Sequence, residues 1–135
     1  MTSELPGVLF VCVHNAGRSQ MAAALLEDLA GDAVRVQSAG TQPIEQIHPG
    51  VAEVMRERGI DLTGRRPAGL RDESVQEADV VITMGCGDEC PYYPGKRYED
   101  WEVPDPTGRS LEEVRAIRDE IESRVRDLLE RLRAS

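Results

Sequence analysis

Short apolar runs alternate with amphipathic ones along the chain. "GVLFVCV" (Gly7 to Val13) is apolar almost throughout, the pattern of a strand buried on both faces of a parallel sheet. "SQMAAALLEDLA" follows, with Met21, Ala22, Leu25, Leu26 and Leu29 at helical spacing and Gly31 as its stop. "VRVQSAG" (Val34 to Gly40) alternates as a second strand. "HPGVAEVMRERG" (His48 to Gly59) puts Val51, Val54 and Met55 on one helical face before another glycine stop. A weaker helix is predicted over Leu70 to Ala78, a third buried strand over "DVVITM" (Asp79 to Met84), and a short fourth strand over "KRYEDWEV" (Lys96 to Val103). The clearest helix is "SLEEVRAIRDEIESRVRDLLERL". Ser110 and Glu113 form its capping box, and Leu111, Val114, Ile117, Ile121, Val125, Leu128 and Leu132 form its apolar stripe.

The order β-α-β-α-β-β-α predicts an α/β fold: one domain over residues 1–135, with a four-stranded parallel sheet and helices on both faces. In such sheets ligands collect beyond the C-terminal ends of the strands. Cys12 falls at the end of the first strand and Cys86 just past the end of the third. No internal repeat, low-complexity tract or linker interrupts the pattern.

Composition narrows the chemistry. A chain of 135 residues that is 40% hydrophobic suits one packed core. No window approaches the roughly 20 apolar residues of a membrane span. The first apolar run is too short for a signal peptide and no basic segment precedes it. The expectation is a soluble cytoplasmic protein with no membrane partner. Sixteen basic against twenty-five acidic residues give −9, which argues against nucleic acid as a partner. A small anion would need a locally positive pocket. The cysteines are Cys12, Cys86 and Cys90, an odd number with no export signal, so a disulfide scaffold is not expected. His14 and His48 have no paired spacing with Cys86 and Cys90, so neither zinc nor any other metal is expected, and no cofactor. Redox or nucleophilic chemistry at cysteine remains.

"CVHNAGRS" supplies a place for it. A strand running straight into a helix leaves unpaired N–H groups at the helix start, where the helix dipole is positive. If the loop curls, the N–H groups of Val13, His14, Asn15, Ala16 and Gly17 form a nest for a tetrahedral oxyanion. Arg18 adds a planar guanidinium able to grip two oxygens. The same field stabilises a thiolate at Cys12, and Ser19 can donate a hydrogen bond to it. Gly17 permits the curl, and Asn15 can take a left-handed conformation and tie the loop with its amide. The plainer alternative is a cysteine buried as a small hydrophobe beside a solvated arginine. The strand before the loop, the helix after it and the serine behind the arginine favour a thiolate under an oxyanion cradle.

These residues, with "VLFVCVHNAGRSQMAAALL", "VQSAGTQP", "ADVVITMGCGDECP" and "YEDWEVPDPTG", resemble the thioredoxin-coupled arsenate reductases, which share the low-molecular-weight phosphatase fold. The likeness runs from Val8 to about Leu132. C-x5-R-S alone marks the wider phosphatase-like superfamily; "RSQMA" and the later cysteine pair point to the reductase branch. The resemblance implies that Cys12 attacks arsenate, that Arg18 and the loop N–H groups hold its oxygens, and that Ser19 keeps Cys12 ionised. It implies that Asp105 of "VPDPTG" is the general acid, although Asp-Pro by itself signals only a turn. Phosphate and sulfate would compete as oxyanions.

The resemblance also gives Cys86 and Cys90 a task. Cys86 would attack the Cys12 sulfur, releasing arsenite and leaving a Cys12–Cys86 disulfide. Cys90 would move that bond to Cys86–Cys90, and thioredoxin would reduce it. The family usually separates these two cysteines by more residues. Here they are four apart, roughly 6 Å between Cα atoms on an ideal helix, with side-chain vectors poorly suited to a disulfide. Gly85 and Gly87 supply the freedom to deform. Some relatives bind potassium through a glutamate in the helix after the loop; Ala23 occupies that position, so no metal is expected.

Three alternatives stand beside this reading. A low-molecular-weight protein tyrosine phosphatase would use the same loop and Asp105 and leave Cys86 and Cys90 unexplained. A mycothiol-coupled arsenate reductase fits the excess of arginine over lysine, fifteen to one, a mark of a high-GC genome. A non-catalytic oxyanion sensor would need a partner surface that the sequence does not display.

Overall fold

Six apolar residues, Gly7–Cys12, form the central strand β1, which is buried at every position. The computed structural model describes residues 6–85 and 96–134. β1 is followed by α1 (Arg18–Ala30), a 3-10 turn (Gly31–Ala33), β2 (Arg35–Gly40), α2 (Pro49–Arg56) and α3 (Asp72–Glu77). Then come β3 (Val80–Thr83), β4 (Arg97–Asp100) and the long helix α4 (Leu111–Ala134). All strand pairs are parallel and the order is β2-β1-β3-β4. The chain therefore leaves β1 toward one side for β2 and reaches β3 on the other. That reversal places the switch point at the C-terminal end of β1, where Cys12 pairs with Gly40 of β2.

The alternation of β1 divides the interior in two. Val8, Phe10 and Cys12 face the larger core, with Met21 and Leu25 of α1, Val54 of α2, and Ile121, Val125 and Leu128 of α4. Leu9 and Val11 face the other side, with Ala39, Val75, Ala78 and Val81. Helices thus cover both faces, as the crossover rule requires. Phe10 also meets Trp101 with ring centroids 5.8 Å apart at 56°, a tilted aromatic pair that ties the segment after β4 to the central strand.

Several boundaries differ from those the pattern predicts. β1 ends at Cys12, not Val13, and α1 begins at Arg18, one residue before Ser19. β2 starts at Arg35 because Val34 turns into the core as the 3-10 turn closes. α2 and α3 are shorter than the spans 48–59 and 70–78. β3 ends at Thr83, opposite Asp100, so β4 has no partner beyond Asp100 and stops well short of Val103. Leu111 is 45% exposed and outside the α4 stripe, while Leu129 joins it. The capping box forms: Glu113 Oε1 accepts from Ser110 N at 3.0 Å, and Glu113 N donates to Ser110 Oγ at 3.2 Å.

Charged groups fix α4 against α2. Arg118 is buried and donates to Val54 O at 2.7 Å and to Glu57 Oε1 at 3.0 Å. Arg115 grips both oxygens of Glu57 at 2.8 Å. The Arg115 hydrogen bonds, opposed by burial and joined by those of Arg118, hold the Glu57 carboxyl down to about 2. A depressed acid stabilises above its unfolded value, so this clamp is complete at neutral pH. It weakens as pH falls from the ordinary carboxylate range toward 2.

Ile121 has no exposed surface and stands between α4 and the sheet. Ile121→Ala is expected to cost about 2–5 kcal/mol through lost burial and the cavity left behind. Urea denaturation at neutral pH measures it; a loss under about 1 kcal/mol would show that the site collapses to fill the gap.

Candidate active site

The loop from Val13 to Gly17 joins the end of β1 to the start of α1. Asn15 adopts φ 53°, the left-handed conformation this short turn needs. Every carbonyl from Cys12 to Gly17 is drawn outward. Those of Cys12, Val13, His14 and Ala16 accept from the backbone N–H groups of Thr41 (3.0 Å), Gln42 (2.7 Å), Ile44 (3.3 Å) and His48 (2.9 Å). The Asn15 carbonyl accepts from Gln20 Nε2 at 3.1 Å, and that of Gly17 from Met21 N at 2.9 Å. Among the described residues, no acceptor meets the N–H groups of His14 to Arg18. Residues 41–48 thus act as a strap that pulls the loop's carbonyls away and leaves its donors for a ligand. Gly40 lets the strap pass: a Cβ there would lie 2.6 Å from Val13 O. The first turn of α1 holds no acidic residue, so the positive helix terminus faces the cavity without a counter-charge of its own.

Cys12 Sγ lies 2.9 Å from Ser19 Oγ, both buried. The direction of that bond follows from its neighbours. Ala68 N, an unambiguous donor, reaches Asn15 Oδ1 at 2.8 Å, so the Asn15 amide nitrogen faces Ser19. Asn15 Nδ2 then donates to Ser19 Oγ at 2.6 Å. One lone pair of the serine oxygen is then occupied by a donor, and its hydroxyl proton remains available to the sulfur. Gln20, almost fully buried, holds Asn15 through both its carbonyl oxygens (3.1 Å each) and reaches Arg66 O at 3.3 Å.

Arg18 is 8% exposed. Its Nη1 donates to Val103 O at 3.1 Å, and its Nη2 lies 3.8 Å from Asp105 Oδ2. Asp105 is half exposed. Burial alone would raise its carboxyl, but the Thr107 hydrogen bonds, including N–H to Oδ1 at 3.0 Å, outweigh it. With Arg18 and His14 adding to them, the carboxyl sits below its ordinary value. Pro106 closes against Gly17, where a Cβ would lie 2.9 Å from its ring. These groups open into a cavity of about 550 Å3 lined by Cys12, His14, Ala16, Gly17, Arg18, Asp105 and the strap from Ile44 to Pro49.

Of the residues the sequence singles out, Cys12, His14, Ala16, Gly17, Arg18 and Asp105 line this cavity. Val13, Asn15 and Ser19 do not; Val13 leans on the smaller core, and Asn15 and Ser19 support the sulfur from behind. Cys86 and Cys90 lie outside the described residues. The sequence reading missed Gln20, Ala68 and the strap. A glutamine in an otherwise apolar first helix stretch was the available signal for Gln20.

The sequence matches the family model for low molecular weight phosphotyrosine protein phosphatases over residues 7–135. The chain belongs to that family. Within the family, the chain is 47% identical to the thioredoxin-dependent arsenate reductase of Corynebacterium glutamicum, with a TM-score of 0.87. That match covers 99% of this chain and 65% of the other. It is 34% identical over 128 residues to the glutaredoxin arsenate reductase of a Synechocystis species, covering 93% of this chain and 97% of that protein. It is also 32% identical to an arginine phosphatase from Geobacillus stearothermophilus (TM-score 0.85), with 96% and 94% covered. Reductases and phosphatases thus share this scaffold.

If Cys12 reacts as a thiolate held by Ser19, removing that hydroxyl takes away one charge-assisted hydrogen bond, worth about 1.5–3 kcal/mol. Ser19→Ala is expected to slow alkylation of Cys12 by iodoacetamide at pH 7 by about tenfold or more. Unchanged alkylation would show that the loop N–H groups and helix terminus suffice.

Proposed function

We propose that this chain reduces arsenate to arsenite, with Cys12 as nucleophile. The observation that carries the reading is the buried Cys12 sulfur 2.9 Å from the Ser19 hydroxyl, beside a loop whose N–H groups meet no acceptor among the described residues. The two further cysteines in the sequence and the relatives named arsenate reductases support reduction over hydrolysis. Residues 1–135 serve as one unit, in the cytoplasm. Among the described residues, no helix is long and apolar enough to cross a membrane.

In this reading the loop N–H groups and Arg18 hold three arsenate oxygens. The Cys12 thiolate attacks arsenic, and the fourth oxygen leaves as water after taking a proton from Asp105. Asp105 is held ionised in the free site, so it must gain that proton on binding. An arsenate dianion engages Arg18 and brings like charge beside the carboxylate, and both effects raise its affinity for a proton. The Cys86 thiolate then attacks Cys12 Sγ. A sulfur–sulfur bond forms, the sulfur–arsenic bond breaks, and its electron pair stays on arsenic, which departs as arsenite. Attack by Cys90 on Cys86 frees Cys12, and two electrons from a thioredoxin dithiol open the Cys86–Cys90 bond. Phosphate and sulfate, as tetrahedral oxyanions, compete for the loop. No metal takes part.

Asp105→Asn is expected to slow adduct formation in a single turnover by about 10²–10⁴-fold while phosphate still binds. An unchanged rate would leave Asp105 as the turn residue that its bond to Thr107 makes it.

The cysteine variants separate reduction from hydrolysis. Cys90→Ser is expected to reduce one arsenate and stop as a Cys12–Cys86 disulfide; Cys86→Ser is expected to release arsenite slowly unless an outside thiol enters. Peptide mapping of non-reduced protein after one turnover reads both. Absence of the Cys12–Cys86 bond in Cys90→Ser, and of the Cys86–Cys90 bond in the wild type, would overturn the relay in favour of a phosphatase or a mycothiol-coupled reductase.

A further inference from the structure

The residue immediately before the cysteine pair touches the anion-binding arginine. Met84 continues β3, fully buried, with its N–H on Val11 O at 2.8 Å. Gly85 then turns at φ +79°. A Cβ built there would lie 2.2 Å from Arg18 Nη1, 2.9 Å from Cζ and 3.0 Å from Nη2. The guanidinium therefore rests on the bare α-carbon of Gly85, with no room for a methyl group. Arg18 has little freedom to yield. It is 8% exposed, its Nη1 is held by Val103 O at 3.1 Å, and its Nη2 lies beside Asp105.

We propose that Gly85 is a positioning residue that fixes where the Arg18 guanidinium lies for oxyanion binding. A guanidinium grips two oxygens only when its donor edge is aimed at both, so a contact beside Nη1 limits where that edge can point. Three segments converge there: the start of α1 supplies the arginine, the segment after β4 supplies Val103 O at its edge, and the end of β3 supplies Gly85. The glycine's role is thus not only backbone freedom. The contact also joins oxyanion binding to the stretch of sequence that carries Cys86. The proposal rests on the reading that Arg18 binds the oxyanion.

The test compares Gly85→Ala with Gly64→Ala. Gly64 has φ +90° and open space around it, so it carries the same backbone strain without the contact. Inorganic phosphate binding is measured by titration calorimetry and thermal stability in parallel. Both variants are expected to lose stability. Only Gly85→Ala is expected to weaken phosphate, by about tenfold or more, as loss of one charge-assisted hydrogen bond would. Equal phosphate affinity in Gly85→Ala and wild type overturns the proposal. Arg18→Ala serves as the reference. If it leaves phosphate affinity unchanged, the oxyanion reading itself fails; if it weakens phosphate and Gly85→Ala does not, only the role of Gly85 fails. A double-mutant cycle covers poor folding: Gly85→Ala should cost less stability, or fold again, in the Arg18→Ala background. Equal loss in both backgrounds, including failure to fold in both, overturns the proposal.

Discussion

A loop that binds a tetrahedral anion must keep its N–H groups unpaired, and folding works against that, because buried donors seek acceptors. In this chain the conflict is met by removing the competing acceptors. Each carbonyl from Cys12 to Gly17 is taken by a donor outside the loop, four of them by the backbone of residues 41–48. Each such bond is worth only about 1 kcal/mol net. Their effect is orientational, since a peptide whose carbonyl points outward points its N–H the other way. The rest of the fold serves this arrangement. β1 delivers Cys12 to the switch point, β2 ends beside it and feeds the strap, and Gly40 is small enough to let the strap pass.

Charge at the site runs against charge overall. The chain carries −9, yet the cavity floor presents a helix terminus with no acidic residue in its first turn and a nearly buried arginine. An anion bound as proposed would be attracted only at short range, with the net charge opposing long-range steering. Among the described residues, the acid beside Arg18 is Asp105, 3.8 Å away, and its depressed carboxyl makes it a counter-ion in the free site. Displacing that pairing is what would turn a carboxylate into a proton donor once an oxyanion arrives.

Local signals in the sequence carried much of this. The uninterrupted apolar run of β1, the periodicity of α1 and α4, and the Ser110–Glu113 box each follow from neighbours a few residues apart. The left-handed Asn15 and the serine on the sulfur were legible for the same reason, because they lie within one loop and one helical turn. What escaped depends on chain segments far apart. Gln20 and Ala68 converge on Asn15 from positions 5 and 53 residues away. The strap has no hydrophobic period, since its work is done by backbone N–H groups that any residue but proline supplies. β4 was overextended because "WEV" looks like strand, while the end of β3 decides where pairing stops. Asp105 is the turn residue that Asp-Pro predicts, bonded to Thr107 N, and its place 3.8 Å from Arg18 is not legible from its sequence neighbours.

The burial of Cys12 constrains how it could be restored if it serves as the proposed nucleophile. At 2% exposure its sulfur sits below the loop, reachable by a small oxyanion or water but not by a dithiol held on another protein's surface. For hydrolysis this is sufficient, because water enters and the thiolate returns unchanged. A reduction oxidises the sulfur, so the electrons it gives up must be replaced through that narrow opening. Under the proposed relay, sulfurs of the same chain carry the oxidation outward, and Gly85 is where that stretch of chain meets Arg18. The family's shared loop therefore leaves the choice of reaction open. The choice falls to whether a second sulfur reaches the first before water does.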